Sequence, residues 1–163
     1  MEIVTVKVKI SDMAILREEG ILVTVGLGSC VGIALYDPKN KVGGLAHILL
    51  PDSSLFRNRI NSLNSAKFAD TAIPLLVHEM VKAGAKRRFL KAKIAGGGHL
   101  FLFQKSGCSV GEKNVKAVKF LLNKYKIPIK GEDVGGSQGR TMKFYVNSGK
   151  VVISTVGGIE KTL

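Results

Sequence analysis

Cys30 closes a short turn, Gly26-Leu27-Gly28-Ser29, and His47 lies within the glycine-bearing apolar run 42–50 further along the chain. A thiol and an imidazole are a nucleophile and its base. An ordinary thiol, with a pKa of about 8.5, is mostly protonated at neutral pH, and a neighbouring histidine can turn it into a thiolate–imidazolium pair. Glycines before the cysteine let backbone N–H groups turn inward, as an oxyanion site requires, which makes Gly28 and Ser29 candidates for that role. A third group should orient the imidazole. The strand-like run before Cys30 holds no Asp or Glu close by, but it does hold Thr24. Cys108, in Ser106-Gly107-Cys108-Ser109, has no histidine beside it and reads as structural.

Whether the thiol meets the imidazole depends on a hairpin. Residues 31–36 and 42–50 are two apolar runs around Asp37-Pro38-Lys39-Asn40, whose Asp-Pro opening suits a type I turn. If residues 37–40 are the loop, Tyr36 faces Lys41. Six residues further out on each strand, Cys30 then faces His47. Directly opposed side chains have Cβ atoms about 4.5–5.5 Å apart, close enough for hydrogen bonding. Taken singly, a cysteine in an apolar strand is a small core residue and a histidine a satisfied polar one. The opposition and the glycine turn together set catalysis level with that structural reading.

Other elements must carry this pair. Val4, Val6, Val8 and Ile10 alternate with polar residues and predict a half-buried strand, and residues 21–25 predict a second. Phe68, Ala72, Leu75, Leu76 and Met80 recur at helical spacing within residues 65–83, where Pro74 should kink or divide the helix. Residues 91–95 read as a strand before Gly96-Gly97-Gly98, and residues 111–126 as a second helix. Closing strands are expected over 127–132, 141–147 and 151–156. Strands outnumber helices and hairpins precede helices, which favours α+β over a doubly wound parallel sheet. Without repeat or linker, residues 1–163 are expected to form a single domain.

Composition narrows the classes. Hydrophobic residues are 45% of the 163, enough for one core, and charged residues are 23%, which argues against disorder. The opening residues lack an apolar stretch behind a basic cap, and no apolar run approaches the ~18 residues of a membrane span. Neither secretion nor membrane insertion is expected. Two cysteines are too few for a disulfide scaffold or a structural zinc site. Reduced thiols and a cytoplasmic location follow as expectations. The net charge of +13 raises nucleic acid as a partner, with Lys86-Arg87-Arg88 as phosphate contacts. No helix-turn-helix, zinc knuckle or aromatic RNA-binding motif accompanies that charge, so nucleic acid is disfavoured, and the charge would equally suit an acidic protein surface.

The tract Thr24-Val25-Gly26-Leu27-Gly28-Ser29-Cys30-Val31 resembles the CheD family of chemoreceptor glutamine deamidases. So do residues 44–53, Gly96-Gly97-Gly98, residues 110–115 and Glu132-Asp133-Val134-Gly135-Gly136, in that order along nearly the whole chain. The resemblance implies a Cys–His–Thr triad, here Cys30, His47 and Thr24, on a layered sandwich of mixed β-sheets with helices packed outside. It implies a protein-glutamine glutaminase, a cysteine amidohydrolase needing no metal or cofactor. Its substrates would be glutamine side chains of methyl-accepting chemotaxis receptors, converted to glutamates. It also implies binding of the phosphatase CheC at a surface near the triple glycine, with Phe101 of the apolar run that follows as the candidate docking residue; the alternative is that Leu100, Phe101 and Phe103 pack into the core. An alternative within the family is a non-catalytic adaptor that regulates a CheY phosphatase.

Overall fold

The computed structural model describes residues 3–54, 65–99 and 109–163. Its elements run in chain order as β1 (Thr5–Lys7), β2 (Asp12–Arg17), β3 (Ile21–Leu27), β4 (Val31–Asp37), β5 (Val42–Ile48) and α1 (Ala69–Lys82). They continue as β6 (Lys91–Gly96), α2 (Val110–Lys124), β7 (Ile129–Val134), β8 (Arg140–Tyr145), β9 (Lys150–Thr155) and β10 (Glu160–Thr162). The strands form two five-stranded mixed sheets. A central sheet has the order β2-β5-β4-β6-β7 and an outer sheet the order β1-β3-β8-β9-β10. The β1–β3 and β6–β7 pairs are parallel and the rest antiparallel.

The layers follow from the central sheet being apolar on both faces. Val31, Ile33 and Leu35 of β4 pack with Ile73, Leu76 and Met80 of α1 and Val118 and Leu122 of α2. The alternate residues Ala34 and Tyr36 face the outer sheet and pack with Leu22, Met142 and Phe144. Strands buried on both faces read as continuous apolar runs, as 31–36 does. The result is the α+β layered sandwich expected, with helices over one face of the central sheet and the second sheet over the other.

Several expectations are refined. Residues 4–10 are not one strand: β1 ends at Lys7, and Ser11, at φ +61°, turns the chain into β2, which the sequence pattern does not announce. Pro74 lies inside α1 without dividing it. Ser109 starts α2, its side chain accepting the Glu112 N–H at 3.2 Å. The turn between β4 and β5 occupies residues 38–41, not 37–40, because Asp37 pairs with Val42 as the last strand position. The buried Asp37 carboxylate accepts the N–H groups of Lys39, Asn40 and Lys86, and Lys41 takes φ +51°.

Candidate active site

One end of the layers gathers the loops that matter. Val31 pairs with both Ile48 and Gly96, Gly96 pairs with Val134, and in the outer sheet Leu27 pairs with Arg140. The turn carrying Cys30, the exit of β5, the triple-glycine loop and the 135–139 loop therefore meet at the same edge.

The corrected turn moves the register by two residues. Gly32, not Cys30, lies opposite His47. Because side chains alternate with period two, a shift of two keeps Cys30 on the His47 face as its diagonal neighbour. Diagonal pairs lie about 7–8 Å apart at the backbone, still within reach of long side chains. No hydrogen bond joins the two among the described residues. Unliganded sites are commonly loose in this way.

Thr24 comes from the other layer. It sits on β3 of the outer sheet, fully buried, and its Oγ1 lies 2.6 Å from His47 Nδ1 across the sandwich. The same hydroxyl donates to the Val8 carbonyl at 2.7 Å. A hydroxyl has one hydrogen. With that hydrogen committed to Val8, Thr24 can only accept from the ring, so the imidazole carries its proton on Nδ1. Nε2 is left with its lone pair, buried and without a partner among the described residues. A ring nitrogen of this tautomer keeps a lone pair that can accept a proton.

Both titrating groups favour their neutral forms. Burial lowers His47 to about 4. Burial also raises the Cys30 thiol, an effect partly offset by the residue's own backbone N–H. A resting thiolate–imidazolium pair is therefore not what these surroundings favour. Each group sits where desolvation penalises its charged form. At neutral pH both shifts favour a thiol and a neutral imidazole.

The Cys30 turn is held from three sides. The Gly98 N–H donates to the Gly28 carbonyl at 2.7 Å and the Gly97 N–H to the Cys30 carbonyl at 2.8 Å. Asn114 of α2 donates through Nδ2 to the Ser29 carbonyl at 2.8 Å and to the Leu49 carbonyl at 3.1 Å. Arg140, ion-paired with Asp133 at 3.3 Å, donates to the Gly96 and Gly135 carbonyls and so fixes the glycine loop. Of the two amides considered for an oxyanion, the Gly28 N–H is engaged with the Gly26 carbonyl at 3.0 Å. Among the described residues, the Ser29 and Cys30 amides donate to no other backbone carbonyl. Phe101 and Cys108 lie outside the described residues.

The comparisons agree on one family. The family described as CheD chemotactic sensory transduction matches residues 49–155. A probable chemoreceptor glutamine deamidase CheD of Clostridium novyi is 51% identical over 154 residues, 93% of each chain. Proteins of the same name from Clostridium kluyveri and Clostridium botulinum are 50% and 48% identical, over 96% of each chain. The chain belongs to the CheD family. The family match begins just beyond His47, whereas the full-length relatives span the CheD chain across both sheets and the Cys30 turn. Asn114 and Arg140 are the site residues that motif reading missed in this CheD protein. For Asn114 the available signal was a polar residue on the buried stripe of α2, in line with Gly111, Val118 and Leu121.

Gly96 gives a first prediction. It takes φ +110°, and a Cβ there would run into the Cys30 carbonyl oxygen. Gly96→Ala should cost about 2 kcal/mol or more in a thermal melt and disturb the cysteine turn. An unchanged melt would show that the loop does not depend on this close approach.

Proposed function

We propose that this chain hydrolyses the side-chain amide of glutamine residues in chemotaxis receptors, with Cys30 as nucleophile, His47 as proton carrier and Thr24 as the group that orients it. The names of relatives about 50% identical support the receptor glutamine as substrate. The single observation that carries the chemistry is the hydroxyl of Thr24, committed to Val8 and accepting from Nδ1, which leaves Nε2 free as a base.

The steps balance without a cofactor. Cys30 Sγ attacks the amide carbon as its proton passes to His47 Nε2. The carbonyl oxygen becomes an oxyanion, received by the backbone N–H groups of Ser29 and Cys30. Collapse expels ammonia, which takes the proton from Nε2, and leaves a thioester. Water then attacks, giving a proton to Nε2, and the second collapse returns that proton to sulfur and releases the glutamate carboxyl. Thr24 stabilises the transient imidazolium only through a neutral oxygen. This suits a modest turnover.

The test is incubation with a receptor cytoplasmic fragment, followed by mass spectrometry for conversion of amide to acid. Conversion supports the reading; an unmodified receptor after exhaustive incubation with folded protein would sink it in favour of the adaptor. Thr24→Ala should lower turnover by about tenfold while leaving alkylation of Cys30 largely intact, since it removes orientation and not the base. Loss of alkylation in parallel with turnover would contradict that division of roles.

In this reading the CheC phosphatase is a second partner, docking through Phe101. Phe101→Ala should then weaken CheC capture with little change in melting temperature. A core phenylalanine lost to alanine would instead cost ~3–5 kcal/mol.

A further inference from the structure

We infer that Asn114 is a positioning residue that aims the Cys30 backbone N–H at the oxygen of the reacting amide. The inference rests on the reading in which Cys30 is the nucleophile, and it assigns part of the oxyanion site to a side chain on α2.

The argument begins with the two hydrogen bonds of one amide nitrogen. Nδ2 reaches the Ser29 carbonyl at 2.8 Å and the Leu49 carbonyl at 3.1 Å. Only a donor fits between two carbonyl oxygens, so the orientation of the side-chain amide is fixed by chemistry. Asn114 is fully buried, and its Oδ1 has no partner among the described residues. An unmet buried acceptor is destabilising. The donor end is therefore what the position uses.

The Ser29 carbonyl belongs to the same peptide unit as the Cys30 N–H. That unit is planar and trans, and the described backbone contains no cis bond. In a trans peptide the C=O and N–H point in opposite directions. Holding the Ser29 carbonyl toward α2 turns the Cys30 N–H away from the helix. There it comes to bear on the residue's own sulfur. An oxyanion formed by attack of that sulfur develops beside the same N–H. The second bond extends the effect: Leu49 follows β5 just beyond His47, so one buried amide ties together the chain segments that present the nucleophile and the base.

Two features make the hold rigid. Asn114 sits in the second turn of a helix whose start is capped by Ser109. Gly111, one turn earlier, packs so tightly on the carbonyls of Gly97 and Gly98 that no Cβ could fit, and these glycines in turn bond the Cys30 turn. The helix cannot slide without disturbing the loop.

The experiment compares wild type with Asn114→Leu, which keeps the size and removes the donor, and with Asn114→Ala. Three quantities are read: kcat and KM on a receptor fragment, the rate of Cys30 alkylation by iodoacetamide, and the melting temperature. Loss of one aligned oxyanion donor should lower kcat about 100-fold with KM nearly unchanged. Alkylation develops no oxyanion, so its rate per thiolate, read at a pH above the thiol's titration, should stay within about threefold of wild type. A purely structural role would move alkylation and kcat together through a loosened turn. Parallel loss of both, or a folded variant with wild-type kcat, overturns the inference. Should Asn114→Leu fail to fold, the Ala variant is judged by the same split. An inactive wild type would overturn the deamidase reading as well, whereas an active wild type with an equally active variant overturns this inference alone.

Discussion

Cys30→Ala should give a folded protein with no deamidation above background. Cys30 is only 6% exposed, within the core between the sheets that also holds Ala34 and Leu27. Alanine at such a position removes one buried atom, and a loss of about 1 kcal/mol is expected from a change of that size. The chemistry has no substitute. Among the described residues Cys30 is the free cysteine, and the nearby Ser29 lies on the turn with its carbonyl held toward α2. With sulfur gone no thioester forms, and turnover on a receptor fragment should drop by at least about 1,000-fold, the scale on which removing a covalent nucleophile acts. Mass spectrometry of the receptor reads the activity and a thermal melt reads the fold. A Cys30→Ala protein that converts glutamine at the wild-type rate would remove the nucleophile assignment. One that melts far below wild type would show that the position is structural first. Cys108→Ala should change neither turnover nor melting.

Much of this arrangement was legible from pattern, and the parts that were not have physical reasons. The runs at 21–25, 31–36 and 91–95 fall within strands because burial on a pleated surface selects β-branched and apolar residues. Residues 12–17 carried no such signal: β2 is an edge strand whose interior residues are only half-buried, so no clean alternation is imposed. β10 is three exposed residues, paired with β9 through its backbone and joined to β7 by the Lys161–Asp133 ion pair at 3.9 Å. The Cys30–His47 pairing was placed on the correct face with the wrong partner. Asp-Pro was read as the start of the loop, whereas the buried Asp37 carboxylate ends the strand and ties down the turn that follows. The shift was by two residues, so the face survived; a shift of one would have sent His47 into the helices. The Thr24–His47 contact joins two sheets, and a contact between layers leaves no spacing along the chain by which to find it. Asn114 was hidden for the same reason, its partners being carbonyls far away in sequence.

His47→Gln should be the second severe lesion, and it separates a neutral resting pair from an ionic one. Glutamine can still donate to Thr24 Oγ1, which keeps the link between the sheets, but it cannot carry a proton. Loss of a positioned general acid–base typically costs 10²–10⁴-fold, and turnover on the receptor fragment should fall by about that much. The pH dependence then tells which protonation states matter. The folded His47 lies at about 4, below the usual 6.5, because burial penalises the imidazolium. Between those values the unfolded chain binds a proton that the folded chain does not, so this group's stabilising contribution is lost as pH falls from about 6.5 through about 4. In His47→Gln that share of the acid sensitivity should vanish from melting curves. The thiol is shifted the other way, above its ordinary value, because burial penalises the thiolate. Thiolate should therefore be scarce at neutral pH, and alkylation of wild-type Cys30 should keep rising through pH 9 as the thiol ionises. An ion pair would behave differently, with alkylation reaching a plateau above a low acid limb, where the thiol gives up its proton, and staying flat across neutrality. The neutral pair requires His47 to take the proton during attack. Turnover should then hold from about pH 5 upward, falling only where His47 begins to bind a proton of its own. A flat alkylation profile from pH 5 to 8 in the wild type would overturn the neutral resting state. Equal turnover in wild type and His47→Gln would remove His47 from the reaction altogether.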